Sequence, residues 1–256
     1  MRKWTAFWGA TVAAISATLG VQPPTVAAAP KPKIVYLTFD DGPNAVNSPR
    51  LLRLLAREHV PATFFVVGQY LGGNRDYATH LWLSGHAVGN HTWSHADLTH
   101  LSADQVRHQL VWTQRLLGQA GGQCMRPPYG AINSGVSAVS RGLGLTPVLW
   151  TVDPQDWAHQ NALYITSHVL THVRNRSIVL LHDGGGSRSA TIAAVRVIIP
   201  QLRSLGYEFR TVPACRVEPL SGSLRKAAKS VDKPRDKPEP TPSGVVVQPT
   251  PSPSTG

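Results

Sequence analysis

The chain has 256 residues, 42% of them hydrophobic, a formal net charge of +11 and 2 cysteines. That suits one medium-sized globular domain with appendages better than two domains. The basic balance favours acidic neighbours such as cell-envelope polymers, and the absence of a basic patch interleaved with aromatics argues against nucleic acid.

The first 28 residues open with Arg2 and Lys3, pass through an apolar run from Ala6 to Val21 and reach the small residues Val26 to Ala29, the layout of a secretory signal peptide cleaved after Ala28. Gly9, Thr11, Ser16, Thr18 and Gly20 interrupt the run, which falls short of the ~20 strongly apolar residues of a membrane span. At the other end, residues 219–256 carry eight Pro and six Lys or Arg without helical or strand periodicity, so a disordered tail is expected, either a plain spacer or a tether along anionic wall polymers. Residues 30–218 remain as the folded domain, with 17 Lys or Arg against 11 Asp or Glu. In an exported chain Cys124 and Cys215 can form a disulfide worth up to roughly 4 kcal/mol, although two buried free thiols fit the spacing as well.

Within the domain, the apolar run Ile34-Val35-Tyr36-Leu37 predicts a buried strand ending in the carboxylate pair Asp40-Asp41. Neighbouring carboxylates at a strand end are costly unless a cation or donors use their charge. A helix is expected over Ser48 to His59, a strand over Ala62 to Val67, a helix over Tyr77 to Ser84 and a short strand at Ala87 to Gly89. The same alternation continues with a helix over Ala103 to Gly118, a strand at Cys124 to Arg126, a helix after Asn133 and a strand over Pro147 to Val152. A helix over Ala162 to Arg174, a strand over Ser177 to Leu181, a helix over Ala190 to Leu205 and a strand over Tyr207 to Val212 complete it. Seven strands alternating with helices imply parallel β-α units closed into a barrel, whose active site is built at the C-terminal strand ends.

Five polar clusters fall at such ends: Asp40-Asp41, His91 to His95, Arg126 to Tyr129, Asp153 to Trp157, and Leu180 to Asp183. His91 and His95 are four apart, so on a helical turn both imidazoles would face one cation. With an Asp they form a His, His, carboxylate set that leaves coordination positions for water and substrate. His168 and His172 repeat that spacing, but inside an amphipathic helix whose core face is Ile165, Val169 and Val173, so a solvated helix face is expected there.

In order and intact, the clusters resemble the motif set of the polysaccharide deacetylase family, the carbohydrate esterases of the NodB-homology type. Thr38-Phe39-Asp40-Asp41-Gly42, His91-Thr92-Trp93-Ser94-His95, Arg126-Pro127-Pro128-Tyr129, Asp153-Pro154-Gln155-Asp156-Trp157 and Leu180-Leu181-His182 correspond to its five motifs over residues 34–212. The resemblance implies a distorted (β/α)7 barrel that removes acetyl groups from an N-acetylated glycan. It implies Asp40 as general base, Asp41, His91 and His95 as metal ligands, and Arg126 as the cation that orients Asp40. It further implies the backbone N–H of Tyr129 as an oxyanion donor, His182 as general acid and Asp153 as the carboxylate partner of His182, with Trp157 and Leu180 walling the acetyl-methyl pocket. Asp156 and Asp183 are left without a role. Zinc suits two His and one Asp, and cobalt, nickel or iron satisfy the same ligands. The expected partner is acetylated peptidoglycan or a chitin-like oligomer, met outside the cell by a monomer; O-deacetylation of acetylxylan and glycan binding without turnover are the competing functions.

Overall fold

The computed structural model describes Met1, residues 32–72 and residues 76–217; the expected signal peptide beyond Met1 and the expected tail lie outside the described residues. From residue 33 the chain runs through β1 (Lys33–Gly42), α1 (Asn47–Arg57), β2 (Thr63–Val66), α2 (Asp76–Leu83), β3 (Ala87–Asn90), α3 (Ala103–Leu117) and β4 (Gly121–Met125). It continues through α4 (Ser134–Gly142), β5 (Thr146–Pro147), α5 (Ala162–His172), β6 (Ser177–His182), α6 (Ser189–Ser204) and β7 (Tyr207–Phe209). The strands form one parallel sheet in the order β5-β4-β3-β2-β1-β6, with β7 beside the first residues of β1. Repeated β-α connections make a parallel sheet, because a crossover must return the chain to the same end of the sheet.

Closure comes from one irregular segment. Residues 146–147 pair with β4, Val148 N–H donates to Met125 O, and four residues later Leu180 N–H donates to Val152 O while Val152 N–H donates to Ile178 O. The segment therefore joins the two edges of the curled sheet, which gives the distorted (β/α)7 barrel. A strand over Pro147 to Val152 was expected; crossing between two edges leaves only two residues in regular pairing plus a bridge from Val152 to Val179.

β1 also departs from expectation, extending through the carboxylate pair to Gly42. Its side chains alternate between two faces, as strand geometry requires. Val35, Leu37 and Phe39 point to the helices and join Phe64, Val66, Val179, Leu181 and the apolar stripes of α1, α5 and α6 in the main core. Phe39 and Phe64 stack there at 5.3 Å, and burying one such side chain stabilises by roughly 1.5–3 kcal/mol. The opposite face carries Tyr36, which packs with Phe65, Ala87, Cys124, Val148, Val212 and Cys215 in a second cluster inside the barrel. Cys124 and Cys215 are disulfide-bonded in that cluster, with Cα atoms 5.1 Å apart, so β4 is tied to the turn after β7. Thr38 and Asp40 follow Tyr36 on the same face, which places the polar residues on top of an apolar plug.

Candidate active site

At the end of β1, Asp40 is 2% exposed and Asp41 sits at φ 69°, in the left-handed region. The register of β1 against β2 slips between Asp40 and Gly42, where the left-handed residue turns the second carboxylate away from the strand's alternation. Asp40 faces Arg126, which lies just beyond β4 and is fully buried. Arg126 Nη1 donates to Asp40 Oδ1 at 2.8 Å and to Thr38 Oγ1 at 2.7 Å, while Nε and Nη2 donate to the carbonyls of Val148 and Leu149. The guanidinium also covers the Phe65 ring at 4.1 Å. A cation so completely partnered fixes the carboxylate it touches.

His91 and His95 follow β3 in a loop. The expectation of a helical turn fails here: Thr92 and His95 both have positive φ, and residues 91–95 hold no helix. Convergence instead comes from outside the pair. Asn90 Oδ1 accepts from Thr92 N–H, Thr92 Oγ1 accepts from His95 N–H, and Gln109 on α3 accepts from both Trp93 and Ser94 N–H at 2.8 and 2.9 Å. The imidazoles end 5.0 Å apart at 67°, and the ligand atoms of Asp41, His91 and His95 lie within 4.8 Å of one another.

These three residues fit a divalent cation by their hydrogen bonding. His91 Nδ1 lies 2.7 Å from the carbonyl of Arg126, which can only accept, so Nδ1 carries the proton and a neutral ring leaves a lone pair on Nε2. That lone pair points at Asp41 Oδ1 from 3.4 Å, and His95 Nε2 stands 3.1 Å from the same oxygen. Asp41 Oδ1 is buried and makes no hydrogen bond. Converging lone pairs on an ionised oxygen repel unless a cation sits among them.

On the far side of β1 stands His182, the register partner of Asp40 at the end of β6. Its partner corrects the expectation of Asp153. His182 Nδ1 lies 2.6 Å from Asp156 Oδ1, and Asp156 Oδ2 accepts from His182 N–H and from Thr191 Oγ1. Asp153 instead accepts from Gln155 N–H within its own turn, where Gln155 has φ 51°; that turn swings Asp156 inward to full burial. Burial acts to lower the His182 pKa, yet the hydrogen bond and charge of Asp156, aided by Asp40 and Asp41, prevail and raise it.

Tyr129 occupies a left-handed position at φ 60°, stays 70% exposed and sets its ring 4.8 Å from that of His95. Leu180 is buried and lies two residues before His182, on the inner face, outside the main core that takes Val179 and Leu181. Trp157 is 56% exposed beside the buried Asp156. His168 and His172 lie on α5 with rings stacked at 4.2 Å, and among the described residues no metal-binding group includes them. Asn90, Gln109 and Thr191 also support the site and were not singled out from the sequence, whereas Thr38 stood there only as a member of the first motif. No periodicity marks them, since each reaches a distant segment, Asn90 by donating to Leu110 O on α3.

Comparison with known proteins gives three findings. Residues 27–148 match the family model described as polysaccharide deacetylase. The chain is 39% identical over 194 residues to a chitooligosaccharide deacetylase of Bradyrhizobium sp. (strain ANU 289), covering 70% of this chain and 89% of that protein. Among solved structures, the peptidoglycan N-acetylglucosamine deacetylase Bc1960 superimposes with a TM-score of 0.68 at 33% identity, covering 71% of this chain and 87% of that one. A carbohydrate esterase family 4 pseudoenzyme from Bacillus anthracis, BA3943, superimposes with a TM-score of 0.66 at 28% identity over 73% of this chain and 66% of its own.

Proposed function

Because the chain belongs to the polysaccharide deacetylase family, we propose that it is an exported, metal-dependent hydrolase that removes acetyl groups from N-acetylglucosamine units of peptidoglycan or chitin-like oligomers. The observation that carries this reading is the placement of Asp40 and His182 as cross-strand neighbours at the barrel mouth, beside the Asp41, His91 and His95 trio. The similarity to a pseudoenzyme means that fold alone does not make a catalyst. Here Asp40, Asp41, His91, His95, Arg126 and His182 are all present, which supports a catalyst.

Asp41, His91 and His95 would hold a divalent cation, zinc by its donor set, which would supply Lewis acidity toward water and the acetyl carbonyl. The protein's own groups do the rest. Asp40 accepts the proton of the attacking water on Oδ2, since Oδ1 is taken by Arg126. The Tyr129 N–H, at a left-handed residue of the loop whose ring faces His95, would donate to the carbonyl oxygen as charge develops. His182 donates from Nε2 to the departing amine nitrogen, its Nδ1 being committed to Asp156. Acetate and a free amine result. Leu180, two residues before this acid, and Trp157, next to its partner Asp156, would wall the acetyl-methyl pocket and favour a small acyl group. The apolar leader with its basic start and the Cys124–Cys215 disulfide support export.

The test is acetate release by the full chain from peptidoglycan, chitin oligomers and acetylxylan in parallel, with and without a chelator. Release from a glucosamine polymer, lost with chelator and restored by zinc, is expected. Release confined to acetylxylan would replace the amide substrate with an ester. Asp40→Asn should reduce release by about 10³-fold or more, within the span of general base catalysis, while zinc remains bound; wild-type rates would remove Asp40 from the mechanism.

A further inference from the structure

We propose that the loop from Gly184 to Arg188 is a positioning device for the Asp41 carboxylate, with Arg188 as its central side chain; the proposal rests on the reading of Asp41 as a metal ligand. Arg188 is 4% exposed, and among the described residues no carboxylate lies within ion-pair distance of it. A guanidinium taken out of water without a counter-ion is costly, so its placement calls for a use.

Two of its donors go to the loop itself. Arg188 Nε donates to Gly184 O at 2.7 Å and Nη2 to Gly185 O at 3.0 Å. Asn47, at the start of α1, closes the other side, with Nδ2 donating to Gly186 O at 2.7 Å and Oδ1 accepting from Arg188 N–H. The loop so clamped is pressed onto the end of β1. Asp183 and Gly184 N–H both donate to Asp40 O, at 3.1 and 3.3 Å. A Cβ on Gly184 would collide with the Asp41 carbonyl, and one on Gly185 would lie 2.8 Å from Asp41 Oδ2 and 3.2 Å from Arg188 Nη2.

Carboxylate and guanidinium therefore face each other across Gly185, no more than about 6 Å apart, a separation at which opposite charges still attract. The two oxygens of Asp41 are divided: Oδ1 looks toward the imidazoles and Oδ2 backs onto the loop. Only glycine permits both the approach and the φ of +67° at residue 185. The fork of Arg188, rather than a hydrogen bond to Asp41, stops the carboxylate from turning. Groups that orient a ligand without touching the metal commonly govern affinity by 10- to 100-fold.

The experiment is a zinc titration of the metal-depleted full chain against a chromophoric chelator, read beside its melting curve without metal. Arg188→Met keeps the length of the side chain and removes the fork; a 10- to 100-fold weaker zinc Kd with a folded metal-free state is expected. Arg188→Lys keeps the charge without the paired donors and should recover only part of that loss. Wild-type affinity in folded Arg188→Met, or complete rescue by lysine, overturns the positioning role. If Arg188→Met does not fold, Gly185→Ala puts a methyl against Asp41 Oδ2, and unchanged affinity there overturns the proposal equally. A wild-type chain that binds zinc but releases no acetate would defeat the deacetylase reading and leave this one standing.

Discussion

Two histidine pairs in this chain share the i, i+4 spacing, and they come to opposite ends. His168 and His172 ride a regular helix with rings nearly parallel, 23° apart, stacked at 4.2 Å and open to solvent on the α5 surface. His91 and His95 hang from a loop with two left-handed residues, their rings at 67° and their Nε2 atoms turned on one carboxylate oxygen. On α5 the two rings stay side by side with no carboxylate between them. At the barrel mouth, convergence comes from the irregular loop, the outside carboxylate of Asp41 and a hydrogen bond that fixes the His91 tautomer.

The comparison is broken most severely at Asp41. Asn is nearly isosteric and tolerates left-handed backbone, so Asp41→Asn tests the charge with little backbone penalty. It should weaken zinc binding and lower kcat/KM by about 10³-fold or more, because several kcal/mol of Lewis-acid stabilisation are withdrawn and each 1.36 kcal/mol is tenfold. The double substitution His168→Ala with His172→Ala should leave both quantities within about twofold, as surface changes do. Metal titration with acetate release on the two variants decides it, and a large effect of the α5 double variant would make that pair a second metal site.

A smaller effect separates the acid from the ligands. Asp156→Asn removes the charge that raises the His182 pKa and leaves burial, which lowers it. A general acid works only while protonated, so the alkaline limb of kcat against pH reflects the His182 pKa and should move to lower pH in the variant. The rate at neutral pH should fall by about 10- to 100-fold, within the span of general acid catalysis. Zinc affinity should hold. An alkaline limb that stays in place would detach it from His182.

Much of this was legible in the residues. The alternation of strands and helices gave the parallel barrel, and the five clusters marked the mouth because polar groups at strand ends have no packing reason to be there. What escaped depended on turns and contacts between distant segments. Asp153 and Asp156 are three apart in one motif, and only the left-handed Gln155 decides which of them reaches His182. The strand at Thr146 was expected to run on because Val148, Leu149 and Val152 are apolar, whereas its hydrogen bonds are divided between two edges. Thr38 and Asp40 ended the strand on paper, since their polarity hides a buried inner face satisfied by Arg126.

The smallest test sharpens the contrast in backbone support. Gln109 Oε1 accepts from Trp93 and Ser94 N–H, and its Nε2 donates to Ser94 Oγ at 2.9 Å, so one side chain of α3 holds the middle of the loop that carries both histidines. The α5 pair needs no such strut, because its backbone is held by the helix ladder. Gln109→Ala should cost about 0.5–1.5 kcal/mol of stability by removing hydrogen bonds to a part-buried and an exposed N–H. It should also weaken zinc about tenfold, the lower end of what an outer contact to a ligand loop is worth. Gln109→Glu keeps the acceptor and should restore most of the affinity while losing the bond to Ser94. If Gln109→Ala loses stability yet binds zinc as the wild type does, the left-handed residues Thr92 and His95 hold the geometry by themselves, and the loop is as self-sufficient as the helix it is compared with.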